Sequence, residues 1–162
     1  MTRIAITGHR ALSPDIATMV DVALRELLAQ YDPAHLIGVS CLADSTDQIF
    51  ARAVLDAGGR LEVVLVDEAH RDFPDDPLSP FSMLLAQAST IRPVPLGANR
   101  ARSWTDAGSN LLRDADLLVA VWDGRTPTGT GSTADVAIEA RRRGLTVQVI
   151  WPVQRARAVE PT

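Results

Sequence analysis

Residues 124–135, Gly-Arg-Thr-Pro-Thr-Gly-Thr-Gly-Ser-Thr-Ala-Asp, set glycines and hydroxyls between an apolar run at 115–123 and a helical pattern. Small residues let the backbone approach a ligand closely, and the free amides of a helix start favour an anion, so phosphate is the chemistry this composition fits. Asp123 and Gly124 fall where the apolar run ends, Gly129, Thr130 and Gly131 form the turn, and Ser132, Thr133 and Ala134 offer first-turn amides as an anion-binding concavity. Ser132 and Asp135 also have the spacing of a capping pair, which makes a plain surface loop before a well-capped helix the competing explanation.

Two further loops carry unusual chemistry. Thr7, Gly8, His9 and Arg10 end the first apolar segment with a hydroxyl, a turn-permitting glycine, an imidazole and a guanidinium. A planar guanidinium binds phosphate through two parallel hydrogen bonds, so Arg10 is the expected phosphate clamp, whereas a lone loop histidine such as His9 serves equally well to cap a backbone carbonyl. In the second loop, residues 41–48, a structural account is available: Ser45 caps the next helix, Gln48 returns the bond and Asp47 complements the helix dipole. Asp44 has no such explanation and is the candidate for recognising ribose or base. The glycine spacing of a dinucleotide fingerprint is missing from the first loop, and the late Gly-Thr-Gly-Ser-Thr lacks the lysine of a Walker loop.

All 16 basic residues of the 162-residue chain are arginine. Schiff-base chemistry and a P-loop lysine are thereby excluded, and arginine is left as the cationic phosphate ligand besides a protonated histidine. The single cysteine, Cys41, permits neither an intrachain disulfide nor a cysteine-cluster metal site and reads as a small buried hydrophobe. No metal and no resident cofactor are expected. A formal net charge of -4 argues against a broad nucleic-acid or anionic-membrane surface. The amino terminus enters strand residues without a signal pattern and no apolar stretch approaches membrane-spanning length, so a cytoplasmic protein is expected.

The elements that must position these loops alternate. Residues 3–7, 35–41, 61–66, 116–122 and 146–151 read as strands. The run at 116–122 lacks polar alternation, the mark of a strand buried on both faces. Ser13-Pro14-Asp15 supplies a cap, a first-turn proline and an acid before Met19, Val20, Ala23, Leu24, Leu27 and Leu28 at helical spacing. Further helices are expected from Ser45 to the Gly58-Gly59 stop, over 81–88, over 103–114 and over 133–143, while Pro93 and Pro95 make 90–96 a poor central strand. The order predicts a single α/β domain over 1–152, Rossmann-like and doubly wound, with a mostly parallel sheet, helices on both faces and a loose tail over 153–162. In such a sheet the ligand crevice lies beyond the carboxyl ends of the strands, where the loops after the first, second and fifth strands meet.

The Ile6-Thr7-Gly8-His9-Arg10 turn, the Leu42-to-Gln48 segment and the late blocks at 120–124 and 129–141 together resemble the SLOG superfamily, over residues 4–151. That Rossmann-like group includes the Lonely Guy phosphoribohydrolases and the DNA-processing protein A family. The resemblance implies a nucleotide-derived ligand with its phosphate on residues 129–134, and a homo-oligomer, expected to be a dimer. In the Lonely Guy motif a catalytic glutamate follows the glycine-threonine pair. Laying that pair on Ser132-Thr133 puts Val136 at the glutamate position and Asp135 one place early, a rotation of about 100° on a helix. Asp135 is therefore the candidate carboxylate for an enzyme that releases base from a nucleoside monophosphate, the alternative to a binding or sensing protein. An interaction module with an empty loop is the third reading.

Overall fold

The computed structural model describes residues 1–43, 45–66, 76–95, 99–124 and 132–151, the side chains of residues 100, 101 and 103 aside. Asp44, Gly129, Thr130 and Gly131 among the candidate site residues, and the tail expected at 153–162, lie outside these.

In chain order the elements are β1 (Thr2–Gly8), α1 (Pro14–Leu28), a 3-10 turn (Pro33–His35), β2 (Leu36–Ser40), α2 (Thr46–Asp56), β3 (Arg60–Val66), α3 (Pro80–Ala86), β4 (Thr90–Val94), α4 (Arg100–Leu112), β5 (Leu117–Val121), α5 (Thr133–Arg142) and β6 (Thr146–Ile150). The six strands form one sheet in the order β4-β3-β2-β1-β5-β6, and every pairing is parallel. The chain winds outward from β1 through β4, then returns across the sheet to place β5 on the other side of β1. The fold is the expected doubly wound Rossmann-like one, and its switch point lies between β1 and β5.

Strand alternation sorts the core onto two faces. Ile4, Ile6, Leu117, Val119 and Val121 pack under Val20 and Leu24 of α1 and Phe50 and Val54 of α2. Leu61 and Val63 continue that face beneath Ala51 of α2 and Phe81 and Leu84 of α3. Ala5, Val39, Val64 and Leu118 point the other way, under Ala107 and Leu111 of α4 and Val136 and Ala140 of α5. Central β2 and β5 are buried at every residue, whereas β4 and β6 carry exposed positions, as edge strands do. Pro93 sits on edge strand β4, where a missing amide donor costs least.

Helix α1 starts as its sequence predicts, with the Ser13 hydroxyl accepting from the Ile16 amide at 3.4 Å. Helix α4 starts at Arg100, three residues before the expected 103, because Asn99 caps it by accepting from the Arg102 amide at 2.9 Å. Below the site, at the amino ends of the strands, Glu62 takes the Arg3 guanidinium in a two-pronged ion pair and meets Arg92 at 3.4 Å. This link ties β1, β3 and β4 together across β2.

Candidate functional site at the switch point

Strands β1 and β5 end in register, with Thr7 opposite Ala120 and Gly8 opposite Val121. The His9 amide then donates to the Val121 carbonyl at 3.1 Å, carrying the pairing one residue past the strand. Gly8 is required by packing rather than by a turn: a Cβ there would lie 2.3 Å from Cγ2 of Thr46, so no side chain fits between the end of β1 and the start of α2. The Thr46 hydroxyl closes the contact by donating to the His9 carbonyl at 2.9 Å.

The second loop corrects the expected capping box. Ser45 has φ 64 and ψ -104, and its hydroxyl makes no bond to its own helix. It accepts instead from the Leu12 amide at 3.1 Å, tying the second loop to the first. The Gln48 amide donates to the Leu42 carbonyl at 3.3 Å. Three non-glycine residues of the two loops, Ala11, Leu42 and Ser45, hold positive φ. Such conformations cost about 1–3 kcal/mol each and persist only where neighbouring contacts impose them. The laced hydrogen bonds are those contacts.

Between these loops and the helices of the second face lies a cleft of about 360 Å³. Thr7, Gly8, His9 and Arg10 form one wall, Cys41, Ala43 and Asp47 the floor from the second loop, Trp104, Ala107, Gly108 and Leu111 of α4 the apolar wall, and Ser132, Thr133 and Val136 the start of α5. The three loops singled out in the sequence thus converge. The exposed Arg10 guanidinium lies 4.4 Å above the centroid of the Trp104 ring, a cation–π contact that holds it over the cleft. Among the described residues it meets no carboxylate in an ion pair. Helix α5 opens with the Ser132 hydroxyl accepting from the Asp135 amide at 3.3 Å, while the amides of Thr133 and Ala134 have no acceptor among the described residues.

The remaining candidates lie around this cleft. Nε2 of His9 is 3.3 Å from the Asp123 amide and 3.4 Å from its carboxylate. A neutral ring accepts from the amide and a protonated one pairs with the acid. The Trp151 ring packs edge-on against the imidazole at 5.2 Å. Gly124 turns the chain away from β5 with φ +81. Ala134 is buried in the first turn of α5. Asp135 lines an adjoining groove between α4 and α5, of about 480 Å³, with Glu139, Arg142 and Arg143.

Two residues of the cleft do more than their local sequence indicates. Trp104 falls in the helix expected over 103–114, and nothing in its local pattern marks it as the platform for an arginine about ninety positions away. Asp47 is more than a dipole partner: it is 6% exposed, and its carboxylate accepts from the Ala43 amide at 3.2 Å. Burial pushes its carboxyl up to about 7, against the pull of the Ala43 amide, the Arg10 charge and the Cys41 amide. Burial and the nearby Asp47 likewise raise the Cys41 thiol, which stays protonated at neutral pH. Among the described residues no group of histidine, cysteine and acidic side chains forms a metal cluster, and no helix is long and apolar enough to cross a membrane.

A parallel doubly wound sheet with its cleft at the switch point is a Rossmann-like fold. No protein-family model and no curated protein matches the sequence. Among solved structures, DNA processing protein A from Streptococcus pneumoniae is similar at 16% identity and a TM-score of 0.64, covering 92% of this chain. The chain spans 50% of that protein. The molybdenum cofactor carrier protein from Chlamydomonas reinhardtii is similar at 16% identity and a TM-score of 0.57, covering 91% of this chain and 75% of its own. DNA processing protein A from Helicobacter pylori, which binds single-stranded DNA, is similar at 15% identity and a TM-score of 0.51, covering 95% of this chain and 77% of its own. At these identities the likeness is one of fold.

The last of these overturns the expectation, drawn from net charge, of no broad nucleic-acid surface. Net charge sums over the whole chain, whereas a polyanion responds to local potential. Here Glu62 is paired with Arg3 and Arg92, while Arg10 stands over the cleft without an ion-pair partner among the described residues.

Proposed function

We propose that the switch-point cleft binds a small phosphorylated, nucleotide-derived ligand, and that the domain acts as a sensor or carrier of it. The observation that carries this reading is the convergence of Arg10, poised on Trp104, with the first-turn amides of α5 across one cleft. Arg10 and the Thr133 and Ala134 amides would take the phosphate, with Gly129, Thr130 and Gly131 completing the loop around it. Thr7 and Gly8 line the mouth, and Asp44 and Asp123 would read ribose hydroxyls or base edges. The apolar wall of Ala107, Gly108 and Leu111 suits the flat body of a base or a fused heterocycle. A molybdenum cofactor carrier of the same fold supports the carrier role. The test is a panel of nucleoside mono-, di- and triphosphates measured by thermal shift and titration calorimetry. Arg10→Ala should weaken the best ligand by roughly 1.5–3 kcal/mol with the fold intact, the range for hydrogen bonds to charged groups. Unchanged affinity in the folded variant would remove Arg10 from the site, and no response to any nucleotide would favour an interaction module.

A second reading is favoured by the single-stranded DNA binding of the Helicobacter pylori protein. Here the phosphate in the cleft belongs to a DNA strand. A short single-stranded oligonucleotide, added to the same panel across a range of salt, separates the two. Affinity for the strand that falls steeply with salt and far exceeds that for any mononucleotide would favour DNA.

A further inference from the structure

We infer that Asp47 is a working part of the anion site, and that an anion arriving at Arg10 is bound together with a proton taken up by the Asp47 carboxylate. This inference rests on the anion-binding reading of the cleft and deepens it. Asp47 belongs to the cleft floor, beneath the Arg10 wall, and is withdrawn almost wholly from water. The other titratable or charged groups of the cleft, among the described residues, are His9 and Arg10 from the first loop and Cys41 from the end of β2. None is an acid. α4 and α5 line the cleft with Trp104, Ala107, Gly108, Leu111, Ser132, Thr133 and Val136, none of them charged. Arg92, on β4, acts electrostatically on Cys41 from farther off.

Arg10 is thus the cation of the cleft whose field favours ionised Asp47. An oxyanion on Arg10 cancels that field and adds its own repulsion, and both effects act in the same direction on a carboxylate shielded from water. The buried acid relieves the repulsion by taking a proton from solvent. By linkage, the anion then binds more tightly as the pH falls through the range in which Asp47 titrates. Inside the cleft the uptake changes no covalent bond but the new O–H: one proton leaves the buffer and neutralises one carboxylate.

Inorganic sulfate is the probe, because its charge is constant across the range, unlike that of phosphate. His9 is a second proton-binding side chain on the cleft wall, so the test uses His9→Gln beside the wild type. Calorimetric titration in buffers of different ionisation enthalpy, from pH 6 to pH 9, should show protons taken up with sulfate in both proteins. Affinity in His9→Gln should fall by about tenfold across the range for each pKa unit by which the anion moves Asp47. The double variant His9→Gln/Asp47→Asn should bind sulfate without uptake and with a flat pH profile. If that variant does not fold, the carbon-13 shift of the Asp47 carboxyl, titrated in His9→Gln with and without sulfate, replaces it, and its midpoint should rise when sulfate is present. Sulfate binding to His9→Gln with no proton uptake and an unmoved midpoint overturns the role of Asp47 and leaves the anion site standing. No sulfate binding at any pH defeats the anion reading and this inference together.

Discussion

At the scale of single residues, the site is built from side chains whose roles depend on one or two close contacts. Gly8 is the sharpest case. A methyl there would sit 2.3 Å from Thr46 Cγ2 and 2.7 Å from its Cβ, so either β1 or the start of α2 must move. Gly8→Ala should cost about 1–3 kcal/mol, the range for overpacking, and should loosen the first two loops. Chemical denaturation together with amide exchange at Leu12, whose amide is held by Ser45, checks both effects. Asp135 tests the enzymatic alternative. Its amide is the donor in the Ser132 cap, and its side chain lines the groove beside the cleft. Asp135→Asn should leave nucleotide affinity unchanged and alter stability by about 1 kcal/mol or less. A wild type that releases base from a nucleoside monophosphate, paired with a variant that binds normally and turns over negligibly, would instead make Asp135 the catalytic carboxylate, since only a transition-state interaction is lost in that pattern.

At the scale of elements, the two ends of the sheet do different work. The carboxyl ends carry strained loops, open amides and the cleft. The amino ends carry the Arg3–Glu62–Arg92 link, with side chains only 13–21% exposed. Removing the shared acid leaves two half-buried guanidinium groups without a counter-charge, and breaking a buried pair from one side costs more than the pair itself contributes. Glu62→Gln should therefore destabilise the fold by about 2 kcal/mol, less than for a fully buried pair because water still screens the arginines, with no direct effect on ligand affinity. Urea unfolding and ligand titration of the same sample separate the two. A loss of affinity with unchanged stability would contradict this division of labour between the sheet ends.

At the scale of the whole molecule, burial of Asp47 makes stability depend on pH in an unusual direction. The carboxyl ionises near 3.8 when unfolded and near 7 when folded. Between these values the folded chain holds the proton and the unfolded chain does not, so stability falls as pH rises from about 4 to about 7 and then levels off. Glu139 acts in the opposite sense: Arg142 and Arg143 hold its carboxyl down to about 2, so its contribution is present above the ordinary 4.5 and fades as pH falls toward 2. These two ion pairs lie at the surface and their share is small. Thermal melts of the wild type from pH 4 to pH 8 should show a decline in melting temperature that Asp47→Asn abolishes. A wild-type profile that rises across this interval would contradict the burial of an ionisable Asp47.

The sequence by itself determined the layers. Period-two and period-3.6 apolar spacing, the Ser13-Pro14 cap, the unbroken apolar run of β5 and the prolines of β4 are local signals, because each reports a backbone preference or a burial pattern within one element. They were enough for the doubly wound sheet and for the three loops at its carboxyl edge, including Arg10 and the Ser132 cap. The tertiary structure decided what no local pattern encodes. It turned Ser45 from the cap of its own helix into a tie to Leu12, made Gly8 a matter of Thr46 rather than of turning, and set Trp104 beneath Arg10. It also buried Asp47 in the cleft floor. Each of these depends on two segments far apart in the chain meeting at the switch point, and the register of such a meeting is fixed by packing across the whole sheet rather than by the residues on either side.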